Sequence, residues 1–194
     1  MGRNVTKFFR RMRDWVVAIA IFALALLIIA KLENQQAQRF HGSFLAIDGD
    51  TLLSGGERLR LEGLDAPEID QTCTRPDGRP YACGADARQA LADLVGAGAW
   101  ECSGTDRDRY RRLLVVCRRG SDDLGQLMVA SGAALAEGRY LAEEGLARRE
   151  GRGIWDGRFE RPSEWRRIRK FEEAEQMASV RTFVPHWILT WFEE

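Results

Sequence analysis

The 194-residue chain has 45% apolar residues and no formal net charge, with 29 basic and 29 acidic side chains. This length and composition predict one compact domain with appendages. The first 30 residues contain five basic and one acidic side chain, which leaves 24 basic and 28 acidic side chains and a net charge of −4 beyond them. A mildly acidic domain excludes broad electrostatic adhesion to nucleic acid, so any such binding must rely on a focused site.

The N-terminal segment has the character of a membrane anchor. Its apolar run from Trp15 to Ala30 follows the five basic residues, and it extends to Leu32 if Lys31 snorkels. The sequence after Ala30 has no small-x-small cleavage site, which favours an uncleaved helix over a cleaved, secreted form. We therefore predict a basic cytoplasmic tail over residues 1–14, a transmembrane anchor over 15–32, a linker over 33–40 and a domain on the periplasmic or extracellular side.

The middle of the chain predicts short strands joined by turns. Asp48-Gly49 and Gly55-Gly56 are turn signals between apolar segments. A later segment has apolar residues at helical spacing and ends near Gly96. The predicted elements of this part are strands over residues 44–47, 51–54, 58–64, 100–103 and 112–117, with a helix over 85–95.

The next segment completes a predicted barrel with helices. Asp122 or Asp123 can cap a short helix that runs to Ala130 and stops at Gly132. Residues 133–136 return to the barrel, and another helix follows over 141–150. Five strands with a helix between the third and fourth is the order of an OB-fold, a partly open barrel whose surface binds nucleic acid or sugars in many proteins. The fold class is therefore α+β, with the domain over residues 41–160.

The C-terminal segment, residues 161–194, predicts an added helix and an aromatic tail. The helix covers residues 162–179 and has only a narrow apolar stripe. The stripe consists of Trp165, Ile168, Phe171 and Met177. It favours a helix docked on the barrel, with binding of a protein partner as the alternative. The tail, with its two tryptophans, either packs on the domain or lies at the lipid interface.

The four cysteines indicate two disulfides and an oxidising compartment. Cys73 and Cys83 bracket a loop that contains glycine and proline. Cys102 and Cys117 flank a turn almost symmetrically, as cross-strand partners of an antiparallel hairpin would. We predict these two pairs, although four cysteines allow three connectivities. A metal site is disfavoured because there is no C-x-x-C motif and neither histidine is near a cysteine in the sequence.

Two sequence blocks bring carboxylates and arginines onto short loops. The segments I-D-G-D-T (47–51) and R-L-E-G-L-D-A-P-E (60–68) contain Asp50, Asp65 and Glu68, which can share a hard divalent cation such as Ca²⁺. Arg60 beside them suits a phosphate oxygen. The segment D-R-D-R-Y-R-R-L-L-V-V-C (106–117) places Arg112 at the start of an apolar strand. Two arginines and a metal ion together indicate phosphoryl chemistry.

These blocks, with G-R-G-I-W at residues 151–155, resemble the staphylococcal nuclease family. The family's pattern runs I-D-G-D-T, then R-L-x-G-[IV]-D-[TA]-P-E, then D-x-Y-G-R, and the resemblance covers roughly residues 40–166. It implies an OB-fold and Ca²⁺-dependent hydrolysis of DNA and RNA that leaves 3′-phosphorylated ends.

The resemblance also implies a role for each matching residue. Two aspartates and the backbone carbonyl of Ala66 would bind Ca²⁺, with Ala66 in a position that is usually threonine. A glutamate would orient or deprotonate the attacking water, and two arginines would bind the phosphate and its transition state. The predicted site comprises Arg60, Glu68 and Arg112 as catalytic residues, Asp50, Asp65 and Ala66 as metal ligands, and Arg109, Tyr110 and Arg111 as substrate contacts.

One departure from the family pattern is Arg111, which stands where the family has glycine. If that glycine needs a positive φ, Arg111 adds strain and can misdirect Arg112; alternatively it adds a phosphate contact. Two non-catalytic hypotheses also stay open. One is an OB-fold module that binds single-stranded nucleic acid or an envelope protein, and the other is a tethered adaptor that recruits a partner through its C-terminal helix. The carboxylates favour the enzyme, because a binding module has no need for them.

Overall fold

The computed structural model of the protein describes residues 2–33 and 37–183. Contacts divide the chain into two units, Met1–Gln38 and Arg39–Glu194. The strands are β1 (Gln38–His41), β2 (Leu45–Ala46), β3 (Thr51–Ser54), β4 (Glu57–Leu61), β5 (Leu64–Asp65), β6 (Cys73–Thr74), β7 (Pro80–Tyr81), β8 (Glu101–Gly104), β9 (Leu113–Arg119), β10 (Asp122–Asp123) and β11 (Leu135–Ala136). The helices are α1 (Gly2–Glu33), α2 (Cys83–Gly96), α3 (Leu124–Ala130), α4 (Leu141–Arg149) and α5 (Pro162–Phe183), with a 3₁₀ turn at Gly153–Asp156. The predicted aromatic tail and part of the predicted linker lie outside the described residues.

The first unit consists mainly of the helix α1. Its side chains from Trp15 to Ile29 are exposed; eleven of the fifteen are large and apolar, and the other four are alanines. The described part of the chain contains no helix that combines the length and the apolar character needed to span a membrane.

The second unit contains an OB-like curled sheet with helices. Its strand order is β1-β8-β9-β4-β3-β2, and β10 also pairs with β9. The pairing of β4 with β9 is parallel, whereas β2, β3 and β4 form an antiparallel meander. Leu59 and Leu61 on β4 point into the core, so the alternation along the strand directs Arg60 to the opposite face. The five predicted strands and the helix between the third and fourth are confirmed as β2, β3, β4, β8, β9 and α2.

The sheet differs from the prediction in two respects. It has seven strands rather than five, because β1 and β10 extend it. The predicted strand over residues 58–64 is broken: β4 ends at Leu61, and β5 begins at Leu64 after a turn in which Gly63 has φ 82°. A positive φ is readily adopted by glycine, and it ends the strand here. β5 pairs instead with β11, where Asp65 lies opposite Leu135, and this pairing positions Asp65.

Both predicted disulfides are confirmed. Cys102 and Cys117 are directly opposite each other on the antiparallel strands β8 and β9 and form one bond. Cys73 and Cys83 form the other and connect β6 with the first residue of α2. The Cys73–Cys83 bond therefore connects the start of α2 to the loop that follows Glu68.

The predicted helices of the C-terminal half are present. Asp123 caps α3 by accepting a hydrogen bond from the Gln126 N–H at 3.2 Å. Helix α5 is longer than predicted and ends at Phe183. Its apolar stripe is only partly docked, because Trp165 is half-buried whereas Phe171 is 66% exposed. Ile168 and Met177 are exposed as well.

Candidate active site

The turn before β3 delivers Asp50 to the site. The Asp50 N–H donates to Asp48 Oδ1 at 3.1 Å, a local bond typical of aspartate turns. A Cβ on Gly49 would lie 2.6 Å from the Cβ of Ala66, so only glycine lets this turn approach the loop that contains Ala66 so closely. Burial raises the pKa of Asp50 to about 7, and the neighbouring Arg60 guanidinium opposes the rise. The buried carboxylate therefore needs positive charge nearby to stay ionised at neutral pH.

Arg60 joins the two predicted aspartate ligands. Its guanidinium contacts Asp50 Oδ2 through Nη1, and Nη2 donates to Asp65 Oδ1 at 3.2 Å. Nη2 also lies 3.4 Å from the Leu64 carbonyl oxygen. Only 14% of the Arg60 side chain is exposed, and the two carboxylates are still less exposed. These charge-assisted bonds fix the guanidinium at one end of the cleft.

Glu68 is positioned through its backbone by Gln71, a residue that the sequence analysis missed. The Glu68 N–H donates to Gln71 Oε1 at 3.2 Å, and the Gln71 N–H donates to the Glu68 carbonyl oxygen at 2.8 Å. Gln71 is fully buried and also donates from Nε2 to the Glu160 carbonyl oxygen at 2.7 Å. The sequence marks Gln71 only by its position three residues after the D-A-P-E motif. A single glutamine does not by itself predict a role.

Arg112 is held at the start of β9 by Asp108. The Arg112 Nε donates to Asp108 Oδ2 at 2.7 Å, and its backbone N–H donates to Asp108 Oδ1 at 3.0 Å. The Tyr110 N–H also donates to Asp108 Oδ1, at 2.9 Å. Asp108 is thus the residue of this loop whose side chain holds the arginine. Arg112 Nη1 reaches Thr51 Oγ1 at 3.2 Å, and the Thr51 hydroxyl donates to Asp50 Oδ1 at 2.8 Å.

A third arginine, which the sequence analysis did not assign to the site, comes from α5. Arg166 Nη1 donates to Glu68 Oε1 at 2.5 Å and to Asp65 Oδ1 at 3.1 Å, and Nη2 donates to Asp65 Oδ2 at 3.1 Å. Burial lowers the pKa of Arg166, but the hydrogen bonds to Asp65 and Glu68 outweigh this effect and raise it above the ordinary value. The sequence predicts α5 as a helix docked on the barrel or bound to a partner, and the many charges of the helix do not distinguish Arg166 from its neighbours.

Seven of the nine predicted site residues, all except Asp65 and Arg111, line one cleft of about 630 Å³, a volume within the usual range for ligand sites. Its lining contains five acidic and five basic side chains, which balance formally. They are Asp48, Asp50, Glu68, Asp108 and Glu137, and Arg58, Arg60, Arg109, Arg112 and Arg166. Ala66 and the 59% exposed Tyr110 also line it, and the Arg109 guanidinium lies 4.8 Å from the Tyr110 ring centroid.

Arg111 is not part of the cleft lining. Its φ is 66°, in the left-handed region, as expected for a position that is glycine in the family pattern. A non-glycine residue there costs roughly 1–2 kcal/mol. The Arg111 carbonyl oxygen accepts a hydrogen bond from Arg107 Nη1 at 2.8 Å, while Arg112 keeps both of its bonds to Asp108. The strain is therefore present without releasing Arg112, and the predicted phosphate contact by Arg111 stays a prediction.

The three predicted acidic ligands are joined by arginines rather than grouped around one point. Arg60 bridges Asp50 and Asp65, and Arg166 bridges Asp65 and Glu68. Within residues 2–33 and 37–183, no three His, Cys, Asp or Glu side chains are grouped as a metal site would require. The candidate metal-ligand atoms are nonetheless all oxygens, which suit a hard cation. Asp65 and Glu68 also already share one positively charged group, the Arg166 guanidinium.

The fold and the site together define a class of protein, an OB-like domain with a cleft in which carboxylates alternate with arginines. A family model described as staphylococcal nuclease homologue matches residues 58–157, just over half of the chain. The chain belongs to the staphylococcal nuclease family. Arg60, Asp65, Glu68 and Arg112 lie within the matched residues, whereas Asp50 precedes them and Arg166 follows them.

Three relatives support this assignment. The succinoglycan biosynthesis protein ExoI of Rhizobium meliloti (strain 1021) is 35% identical over 126 residues, which cover 61% of this chain and 66% of ExoI. Micrococcal nuclease of Shigella flexneri is 30% identical over 183 residues, 82% of this chain and 98% of that protein. The probable staphylococcal-like nuclease CAN3 of Oryza sativa subsp. japonica is 28% identical over 130 residues, 63% of this chain and 32% of CAN3. The chain thus spans just under two thirds of ExoI and nearly all of the Shigella protein.

Proposed function

We propose that the protein is a calcium-dependent nuclease that hydrolyses phosphodiester bonds of DNA or RNA. The observation that carries the proposal is the continuous row of contacts from Arg112 through Thr51, Asp50, Arg60 and Asp65. A phosphodiester repels nucleophiles, so its hydrolysis requires positive groups that are fixed before the substrate arrives. The buried contacts fix both predicted phosphate-binding arginines in this way.

Each residue has a defined task in the proposed reaction. Arg60 and Arg112 bind the non-bridging oxygens and neutralise the charge that builds on them in the transition state. Glu68 accepts a proton from the attacking water, whose oxygen forms a bond to phosphorus while the bond to the leaving oxygen breaks. Arg109 and Tyr110, at the exposed side of the cleft, contact the adjoining nucleotides.

The donor set of the cleft fits calcium. Asp50, Asp65 and the Ala66 carbonyl would hold it, and Ca²⁺ accepts six to eight oxygen ligands in flexible geometry, so water and substrate can complete the set. The bound ion would supply positive charge to the phosphate and lower the pKa of the attacking water. The formal balance of acidic and basic groups in the cleft also favours added positive charge, because a phosphodiester brings a further negative charge.

Calcium removal and loss of the Glu68 carboxylate together test the proposal. We expect a chelator to slow the release of acid-soluble nucleotides from DNA by about 100-fold, since the metal would contribute several kcal/mol to the transition state. Glu68→Gln keeps the shape but not the base, and we expect it to slow release by about 100-fold as well. The measurement uses the full-length oxidised chain with millimolar Ca²⁺.

The matched control is Glu173→Gln on α5, which removes a carboxylate 3.9 Å from Arg169 and outside the cleft. This variant should release nucleotides at the wild-type rate. Equal rates for wild type and Glu68→Gln, with or without chelator, would contradict the proposal.

A non-catalytic module that binds nucleic acid or a protein partner is the second candidate function. The observation that favours it is the occupation of Asp65 and Glu68 by Arg166, which leaves no group of three carboxylates in the described residues. If this candidate is right, the folded wild type binds DNA in the presence of chelator and releases no nucleotides in the hydrolysis assay. Glu68→Gln then leaves DNA binding unchanged.

We also propose that the N-terminal segment attaches the protein to a membrane and that the domain lies on its periplasmic or extracellular side. The support is the apolar run after a basic flank and the two disulfides, which suit an oxidising compartment. In the host cell, the full-length chain is expected to resist extraction by alkaline carbonate and to be digested by protease added to spheroplasts. Recovery in the carbonate supernatant, or protection from the protease, would contradict this location.

A further inference from the structure

We propose that Arg166 is a built-in competitor of the divalent cation, so that α5 regulates access of Ca²⁺ to the carboxylates. The inference rests on the proposed function, because it assigns Asp65 and Glu68 to the same cleft. Three hydrogen bonds occupy both Asp65 oxygens and one Glu68 oxygen with a single guanidinium. A cation that binds Asp65 must displace at least part of this contact.

Arg166 lies outside the part of the chain that the family model matches. The family match ends at residue 157, and α5 begins at Pro162. The matched residues Asp65 and Glu68 are therefore covered by a charge from outside the matched part of the chain. An arginine on the same chain is present at an effective concentration that can reach millimolar, which is comparable with the Ca²⁺ concentrations that weak extracellular sites require.

The docking of α5 is weak enough to be reversible. Trp165 is half-buried, and its Nε1 is buried without a hydrogen-bond partner in the described part of the chain, which is unfavourable. Further along the helix, Ile168 and Phe171 are exposed. Among the other contacts of α5, Arg169 Nη1 lies 2.7 Å from Asp70 Oδ2, a pair whose two side chains are each 46% exposed. Exposed pairs of this kind contribute little, so a dication can shift the balance.

The arrangement also affects Glu68, the proposed base. As long as Arg166 Nη1 donates to Glu68 Oε1, that oxygen offers one lone pair fewer to the attacking water. Displacement of Arg166 would therefore free both the metal ligand and the base. Helix α5 would thus link calcium occupancy to readiness for hydrolysis.

Calcium affinity measured by isothermal titration calorimetry tests this inference without relying on activity. The comparison uses the full-length oxidised chain as wild type, Arg166→Gln and Arg167→Gln, titrated with CaCl₂ in the absence of substrate. We expect Arg166→Gln to bind Ca²⁺ about 3- to 30-fold more tightly, because the competing charge is removed. Arg167→Gln removes the adjacent arginine on α5, which is 67% exposed and pairs with Glu164 of the same helix at 4.0 Å, and it should bind Ca²⁺ as the wild type does.

Arg166→Lys distinguishes competition from loss of folding. Lysine keeps the charge but cannot bridge three oxygens with a planar fork, so an affinity between those of wild type and Arg166→Gln is expected. Equal or weaker Ca²⁺ binding by Arg166→Gln, or no detectable binding by any variant, would overturn the inference. If Arg166→Gln binds Ca²⁺ more tightly but the protein does not hydrolyse DNA, the inference stands and the proposed nuclease activity is wrong. If the protein hydrolyses DNA but Arg166→Gln binds Ca²⁺ with unchanged affinity, the proposed nuclease activity stands and the inference is wrong.

Discussion

Replacing Arg60 with alanine is expected to slow hydrolysis of DNA by about 1,000-fold, at the upper end of what loss of one transition-state donor costs. The arginine does more than contact phosphate, because its guanidinium separates Asp50 from Asp65. Both carboxylates are almost fully buried, and without Arg60 the Asp50 carboxylate would lose its ion pair while Asp65 would keep Arg166. The change removes a donor and disturbs two proposed calcium ligands, so its effect should exceed that of Glu68→Gln.

The measurement is the single-turnover rate at saturating Ca²⁺, at a temperature where the variant is folded. Loss of one partner from a buried ion pair costs about 3–5 kcal/mol of stability, so folding is checked by circular dichroism. Arg60→Lys keeps the charge between the aspartates and should fold, yet lose about 100-fold in rate because the ammonium lacks the bidentate fork. Arg79→Ala removes an arginine from an exposed pair with Asp77 and should leave the rate unchanged. A wild-type rate in Arg60→Lys would mean that charge alone suffices at this position.

The fold was predictable where local signals and tertiary contacts agree. The turn dipeptides placed β2, β3 and β4, and the spacing of the cysteines gave the cross-strand pair on β8 and β9. Strand β1 was missed because Gln38–His41 contains no alternating apolar pattern and is largely exposed. Its pairing with β8 comes from the sheet edge, which single-sequence periodicity does not show. The break at Gly63 was not predicted, although Leu64 is out of phase with Leu59 and Leu61, because a single glycine does not by itself end a strand pattern.

The site was predictable to the extent that its residues lie in short motifs. Asp50, Arg60, Glu68 and Arg112 do line one cleft, and Asp65 contacts two of its arginines. The contacts over long sequence distances were not predictable. Arg166 lies 101 residues after Asp65, and the Gln71 amide bonds to a carbonyl 89 residues away. Such contacts depend on how α5 and the loop before it return to the barrel, and no local propensity encodes that path.

Substitution of Gly84 by alanine is expected to destabilise the domain by about 3 kcal/mol and to slow hydrolysis by about 100-fold. Gly84 is the second residue of α2, and a Cβ there would lie 1.6 Å from the Glu68 carbonyl oxygen and 2.6 Å from its carbonyl carbon. The obstacle is backbone rather than a flexible side chain, so either α2 or the loop with Glu68 must move. The Cys73–Cys83 bond restrains α2 at the adjacent residue, which directs the displacement toward Glu68.

Gly96→Ala provides the matched control, because it is the last residue of the same helix and its Cβ would meet nothing within 4 Å. This variant should change the free energy of unfolding by less than about 1 kcal/mol and leave hydrolysis unaffected. Urea unfolding of the oxidised chain gives the stability, and single-turnover hydrolysis below the unfolding transition gives the rate. Loss of stability with an unchanged rate in Gly84→Ala would show that α2 moves and Glu68 does not. The close packing of α2 on Glu68 would then serve folding alone, and the alignment of the proposed base would depend on Gln71.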